Sequence, residues 1–342
     1  MKKILSFLVT LIIGFLIFGV VIKIAGLKRI QEAFFLFLSF KGLIIILLTF
    51  IIAVISILRW KLILQSQGFN SLTKSLKGLE KIWLVGFAMS YLTPVAFLGG
   101  EAFRVYLLRK EFNFEWEKSA ASVAIDKILD GTFFLMFLVG GILTFLFYGH
   151  FPSKTMAWLV GLIVGGLLGL LLFFYFKTLN KKSVLEWFLK LFEIKKEKIE
   201  NTANGKMAFD TEKEIIRFFS PRRKTFWKGI SLSFLKYFLL FLRVAILIFF
   251  LGKGIGVTKA LAVYGFNNLA LLFPLPASLG SLEMAGILTF KTLGLNMAQG
   301  LVFAMVLRGA DLILSFIGVI FLLKFTLKFT GKKILGFVDN LR

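Results

Sequence analysis

The sequence has no cysteine, which excludes disulfides, thiolate nucleophiles and cysteine-ligated iron–sulfur clusters. It has one histidine, His150, and no Asp-Asp or Asp-x-Asp cluster, so side chains for acid–base or metal-assisted chemistry are scarce. No Gly-x-x-x-x-Gly-Lys-Ser/Thr loop occurs, which argues against ATP hydrolysis by this chain. No catalytic residue, metal site or cofactor is expected. Acidic residues number 18 against 42 Lys and Arg, a net charge of +24. The basic residues fall between apolar runs rather than on one face. Nucleic acid is therefore not the expected partner, and anionic lipid headgroups account for the charge better.

What is abundant is apolar: 58% of residues, 43 of them Phe, in 342 positions, with a mean hydropathy of +0.88. Several runs are long enough to cross a hydrocarbon layer of roughly 30 Å. None alternates as the strands of a membrane barrel must, so the sequence predicts an all-α polytopic helix bundle forming one integral membrane domain, residues 1–342. Six runs read as full spans: Ile4–Ile22, Phe34–Leu58, Ile128–Gly149, Met156–Phe176, Gly229–Leu251 and Met297–Leu323. The first resembles a signal peptide, but its length and the lack of a small-residue cleavage site make it a retained span. Two further runs, Ile82–Gly100 and Val257–Gly294, are interrupted by Pro94, Gly99 and Gly100 and by Pro274, Pro276 and Gly280. Proline removes a backbone donor, so these are expected to be broken or re-entrant helices.

The segment Lys177–Lys228 carries fourteen Lys or Arg against seven acidic residues, and is expected to be the cytoplasmic interfacial loop of a cell-membrane protein. Counting from it places Arg104–Lys127 and Arg59–Lys81 on the same side, with both termini cytoplasmic, provided that Ile82–Gly100 enters and leaves on one side. Within it, Lys181–Lys198 spaces Trp187, Phe188, Leu191 and Phe192 helically among lysines, as an interfacial helix would. Small residues in Gly161–Gly169 could serve packing within the chain, and a homo-oligomer stays open.

One pattern occurs twice. Pro94 is followed after seven residues by Glu101, twenty-six further on by Lys127, and three later by Asp130; Pro276 is followed after seven by Glu283, twenty-five further on by Arg308, and three later by Asp311. The repetition predicts an internal repeat, inverted if the two broken segments enter from opposite sides, with halves of about 1–150 and 156–330. Lys127 with Asp130, and Arg308 with Asp311, lie three apart on one helical face and are expected to pair. Ions inside the hydrocarbon mark either such local pairs or a shared polar cavity. Glu101 and Glu283 could accept hydrogen bonds from backbone exposed at the glycine breaks, or bind a cationic headgroup. Arg104 and Arg109 are natural phosphate partners if they do not simply snorkel to the surface. Arg104 has no counterpart in the second half, where the same offset is Gly286.

The stretches Leu92-Thr-Pro-Val-Ala-Phe-Leu-Gly-Gly-Glu-Ala-Phe-Arg104, Ala124-Ile-Asp-Lys-Ile-Leu-Asp130 and Pro274-Leu-Pro-Ala-Ser-Leu-Gly-Ser-Leu-Glu283 resemble the flippase-like transmembrane region of lysylphosphatidylglycerol synthases, over essentially the whole chain. Ser281 stands where a Gly-rich run is more usual. Some members of that family carry a cytoplasmic aminoacyl-transferase domain; the nineteen residues after Leu323 leave no room for one here, so a separate soluble transferase partner is conceivable. The resemblance implies translocation of an anionic phospholipid or lipid-linked headgroup between leaflets, through a cavity formed by Glu101, Arg104, Lys127, Asp130, Glu283, Arg308 and Asp311. The alternatives are a membrane-embedded transferase acting on a lipid-linked substrate and a non-catalytic scaffold subunit.

Overall fold

The computed structural model describes residue 19 and residues 27–69, 76–93, 99–148, 154–252, 254–272 and 275–339; apart from Gly19 the expected first span Ile4–Ile22 lies outside these, as do Pro94 and Pro274. The described residues are helical, without a strand: α1 (Leu27–Leu38), α2 (Phe40–Ser66), α3 (Leu76–Leu92), α4 (Glu101–Phe112), α5 (Trp116–Tyr148), α6 (Lys154–Leu179), α7 (Val184–Leu191), α8 (Lys196–Glu200), α9 (Ala203–Phe218), α10 (Lys224–Phe250), α11 (Val257–Leu269), α12 (Ser281–Thr292) and α13 (Met297–Asp339). Among the described residues, five helices are long and apolar enough to span a membrane: α2, α5, α6, α10 and α13. Helices dominate because lipid offers backbone N–H and C=O groups no other partner. At 27 residues, α2 and α10 are each about 40 Å long.

Long-range contacts fix the helix directions. Lys41 Nζ donates to Phe250 O and Gln299 Nε2 to Leu251 O, so the start of α2, the end of α10 and the start of α13 share one end of the bundle. At the other end, Gln67 Nε2 reaches Glu214 O, the rings of Phe69 and Phe112 lie 5.4 Å apart, and Lys328 pairs with Glu111 at 2.6 Å. That second end carries the basic segment 177–224. It follows that α2 and α10 run antiparallel. The helix α3 starts at the basic end, the chain reverses where Gly100 N–H donates to Ser90 Oγ at 3.0 Å, and α4 returns to the basic end. The segment Ile82–Gly100 thus enters and leaves on one side. The second interrupted run behaves likewise from the opposite end. There α11 stops at a reversal where Ser281 Oγ donates to Ala270 O, with left-handed backbone at Ala277, Ser278 and Gly280, and α12 leads back to the start of α13.

Each hairpin packs on a long helix from the other part of the chain: α3 on α13 and α11 on α5. Glycines permit the approach. A Cβ on Gly265 would stand 2.5 Å from the Gly141 Cα, and one on Gly318 would strike the Leu84 carbonyl. With no hydrophobic drive between helices in lipid, such backbone proximity is what packing has to supply. By contrast Gly161, Gly165, Gly166 and Gly169 on α6 have nothing within 4 Å among the described residues, so that stripe does not pack against any of those.

Sequence boundaries shift in several places, and the expected span Phe34–Leu58 is divided at Ser39 between α1 and α2 and runs on to Ser66. Ile128–Gly149 begins twelve residues early, at Trp116, so Lys127 stands inside a helix rather than in the expected loop. The single interfacial helix over Lys181–Lys198 is two, because Glu193 takes left-handed backbone after α7 ends. Glu212 caps α7 by accepting from the N–H groups of Val184 and Leu185, and a hydrogen bond from Lys196 holds the Glu186 carboxyl below its usual range. The last run continues past Leu323 as helix. Phe188, Leu191 and Phe192 remain exposed, as an interfacial segment requires.

Two outcomes are expected. Gly141→Ile should cost about 1–3 kcal/mol by overpacking and lower the thermal midpoint in detergent, whereas Gly161→Ile should not move it. In the natural cysteine-free background, single cysteines at the exposed positions Lys110 and Lys182 should react with an impermeant maleimide from one side of the membrane, and one at Gly254 from the other.

Candidate functional site

The two reversals face each other at mid-bundle across a cavity of about 540 Å³. Its wall combines α2, α3, α5, α10, the hairpin tips and α13, and carries Glu101, Arg104, Asp126, Lys127, Asp130, Lys236, Arg243 and Asp311. Charges at this depth are tolerated only when paired, and every carboxylate here is held by a cation.

The pairing differs from the sequence expectation. Lys127 does not pair with Asp130, nor Arg308 with Asp311. Lys127 reaches Glu101 at 2.6 Å, and Arg308 pairs with Glu283. Asp130 is taken by Arg59 at 2.8 Å and Lys236 at 2.6 Å, and Asp311 by Arg243 at 2.7 Å. The reason is geometric. A partner one turn away on the same helix leaves both charges desolvated on one surface, whereas a partner on a facing helix sits between packed helices and closes the polar gap.

Arg59, read from sequence as part of a cytoplasmic loop, is 0% exposed. Its Nε donates to Asp126 Oδ1 at 2.9 Å and its Nη1 to Asp130 Oδ1 and to Ser233 Oγ, the latter at 3.1 Å. Arg243 makes the matching set on α10: Nη1 to Asp311 Oδ1 and to Thr49 Oγ1 at 2.9 Å. Thr49 precedes Arg59 by ten residues and Ser233 precedes Arg243 by ten, so each arginine binds the hydroxyl that the other's helix presents.

Arg104 does not snorkel. It is buried, pairs with Asp126 at 2.8 Å, and lays its guanidinium 4.1 Å above the Trp60 ring. Gly86 makes room for it, since a Cβ there would lie 2.5 Å from the Arg104 side chain. Arg109 stays outside the cavity, with its Nη1 near Asn113 O.

The second glutamate caps the second break: Glu283 Oε2 accepts the Gly280 N–H at 3.0 Å, and Arg308 donates to it and to Ser278 O. Glu283 and Arg308 therefore lie behind the cavity and brace the hairpin tip. In the first half, Glu101 does not cap. Its neighbours are Lys127 and Ser90 Oγ, while Gly100 N–H is met by that same serine. Of the helix-breaking residues, Gly99, Gly100, Pro276 and Gly280 lie at the two reversals.

Sequence reading missed Arg59, Asp126, Lys236 and Arg243. Lys236 and Arg243 stand inside an otherwise apolar span, which is itself the signal. Arg59 would have followed from extending the repeat to the spans preceding each hairpin. Asp126 has no counterpart, because the matching position is Leu307.

Removing one member of a buried pair strands its partner. Arg59→Gln should therefore cost about 3–5 kcal/mol, seen as a large drop in thermal midpoint, while Arg29→Gln, which breaks a partly exposed pair with Glu32, should cost about 1 kcal/mol or less. Among curated proteins, the chain is 24% identical over 295 residues to a UPF0104 membrane protein of Methanothermobacter thermautotrophicus, covering 84% of this chain and 86% of that protein. It is 26% identical over 298 residues to a UPF0104 membrane protein of Methanocaldococcus jannaschii, covering 84% and 85%. No solved structure matches significantly. The family model of the lysylphosphatidylglycerol synthase TM region matches residues 4–318, and the chain belongs to that family.

Proposed function

We propose that this protein binds a lipid headgroup in the central cavity and carries it between leaflets, as a flippase-like translocator of the cell membrane. The observation that carries the reading is the meeting of two hairpins from opposite ends of the bundle at a charged cavity of about 540 Å³. That volume suits a headgroup, since small-molecule sites run to about 300–1,000 Å³.

The order of elements supports an inverted repeat. A long helix, a two-helix hairpin and a second long helix occur as α2, α3–α4 and α5, then again as α10, α11–α12 and α13. The leading long helices run antiparallel and exchange hydrogen bonds, and each hairpin leans on the other half's closing helix. Inverted repeats that place discontinuous helices at mid-membrane are a known route to alternating access, in which one hairpin yields while the other seals. The headgroup would sit among the paired ions while its tails stay in lipid. The basic segment 177–224 and the C-terminal end of α13 would face the cytoplasm by charge. The carboxylates are committed to cations, which disfavours their use as free bases or metal ligands in a transferase.

The test is translocation of headgroup-labelled lipids in proteoliposomes. Wild-type protein should accelerate it, and Glu101→Gln and Asp311→Asn should slow it at least tenfold at matched reconstitution, whereas the exposed Lys213→Gln should not. If a broad panel of headgroups shows no wild-type acceleration, the reading fails and a transferase or scaffold role takes its place.

A further inference from the structure

We propose that α7, α8 and α9 form a strap across the basic end of the bundle, and that an anionic bilayer surface, gripping the exposed edge of α7, holds the strap shut. The inference concerns access to the cavity and stands apart from what the cavity carries.

Depth identifies what α7 touches. The Trp187 ring lies 4.6 Å from that of Phe173, with Lys177 Nζ over both. Phe173 precedes the end of α6 by six residues, about 9 Å of helix. That contact draws α7 alongside the last turns of a membrane-spanning helix rather than out into water. Next to it Phe188, Leu191 and Phe192 are exposed among the described residues, in the company of the exposed Lys181, Lys182 and Lys190. An apolar edge among lysines at that depth fits anionic headgroups and the acyl chains beneath them.

The strap is tied together by its polar groups. At eight residues α7 is too short to hold helix alone in water. Its first turn is capped from α9: Glu212 accepts from the Val184 and Leu185 N–H groups at 2.6 and 2.9 Å, and from Ser183 Oγ. Lys196 on α8 pairs with Glu186 at 2.6 Å and lies 5.2 Å from the centre of the buried Phe209 ring on α9. Linkage is reciprocal, so whatever stabilises α7 also holds Glu212, and with it α9.

What α9 does there is seal. Phe218 and Phe219 at its end pack with Ile63 on α2 and with Ile125 and Leu129 on α5. Those three residues stand beside or one turn from Arg59, Asp126 and Asp130, so the aromatic layer floors the ion cluster. Gln67 fastens α9 to the end of α2 through Glu214 O, and nearby Phe69 meets Phe112 on the returning hairpin arm α4. The second half carries no counterpart among the described residues: α13, which corresponds to α5, runs on as helix to Asp339. The strap is an addition to one end of a doubled framework, as a control element is and a shared core is not.

Hydrogen exchange of the full chain in lipid nanodiscs tests this, comparing phosphatidylcholine alone with discs of about one third phosphatidylglycerol. Amides of α7 and α9 should exchange about tenfold more slowly in the anionic discs, while those of α5 and α10 stay unchanged. The double variant Phe188→Ser, Phe192→Ser alters only exposed positions, yet should abolish the response of α9 to lipid charge; Lys213→Gln should keep it. Glu212→Ala should free α9 in both lipids. Access is the second readout. Gly131 lines the cavity with open space where a Cβ would stand, so Gly131→Cys should be accommodated. An impermeant maleimide from the basic side should label it about tenfold faster, relative to Lys110→Cys, in the neutral bilayer or with Glu212→Ala. Equal α9 exchange in the two lipids would overturn the proposal, as would a lipid response that survives loss of both phenylalanines. Protection of α7 that tracks protein concentration instead of lipid charge would put a second copy on that edge and overturn it too. So would an unchanged labelling rate once α9 is freed, since the strap would then guard nothing.

Discussion

Everything in this molecule is arranged around the cost of holding ions in lipid. An unpaired carboxylate or guanidinium at mid-membrane is unstable by several kcal/mol. Arg59 answers that cost from both sides. It is fully buried between Asp126 and Asp130 on α5 and Ser233 on α10, and so ties three helices at one point. Take that contact away and α2 keeps Thr49–Arg243 but loses its hold on α5, where one apolar helix face packs on another with little preference for register.

The same pressure shapes the hairpins. A helix that stops inside a membrane exposes backbone donors, and here each stop is answered locally: Gly100 N–H by Ser90, Gly280 N–H by Glu283. Broken helices survive because these partners are built in, and the cavity forms where the two stops face each other. Site and fold defect are thus one feature. The polar lining consists of what was needed to end two helices and pair their charges.

Much of this was legible in the sequence, for reasons of different strength. The long apolar runs gave the five described spans because length and hydropathy are read directly. The doubled Pro–Glu–basic–Asp spacing marked where α3 and α11 give way to α4 and α12. Pair assignments were not legible. Helical spacing made Lys127–Asp130 and Arg308–Asp311 look natural, but partner choice is tertiary, and facing helices won. Arg59 was lost because a charge near the end of an apolar run reads as a boundary, although α2 continues through it to Ser66. Arg104 was ambiguous for the same reason: only Gly86 and Trp60, distant in sequence, show that it turns inward.

The exchange between Thr49 and Arg243, and between Ser233 and Arg59, sets a mechanical constraint. The two contacts lie ten residues apart on each helix, about 15 Å, on either side of the middle of the shared seam. Two bolts at that separation stop α2 and α10 from sliding, and from pivoting about either bolt, without breaking the other. The central pair is therefore the chassis of the molecule, and any movement that opens the cavity to one face or the other falls to the hairpins bearing on it.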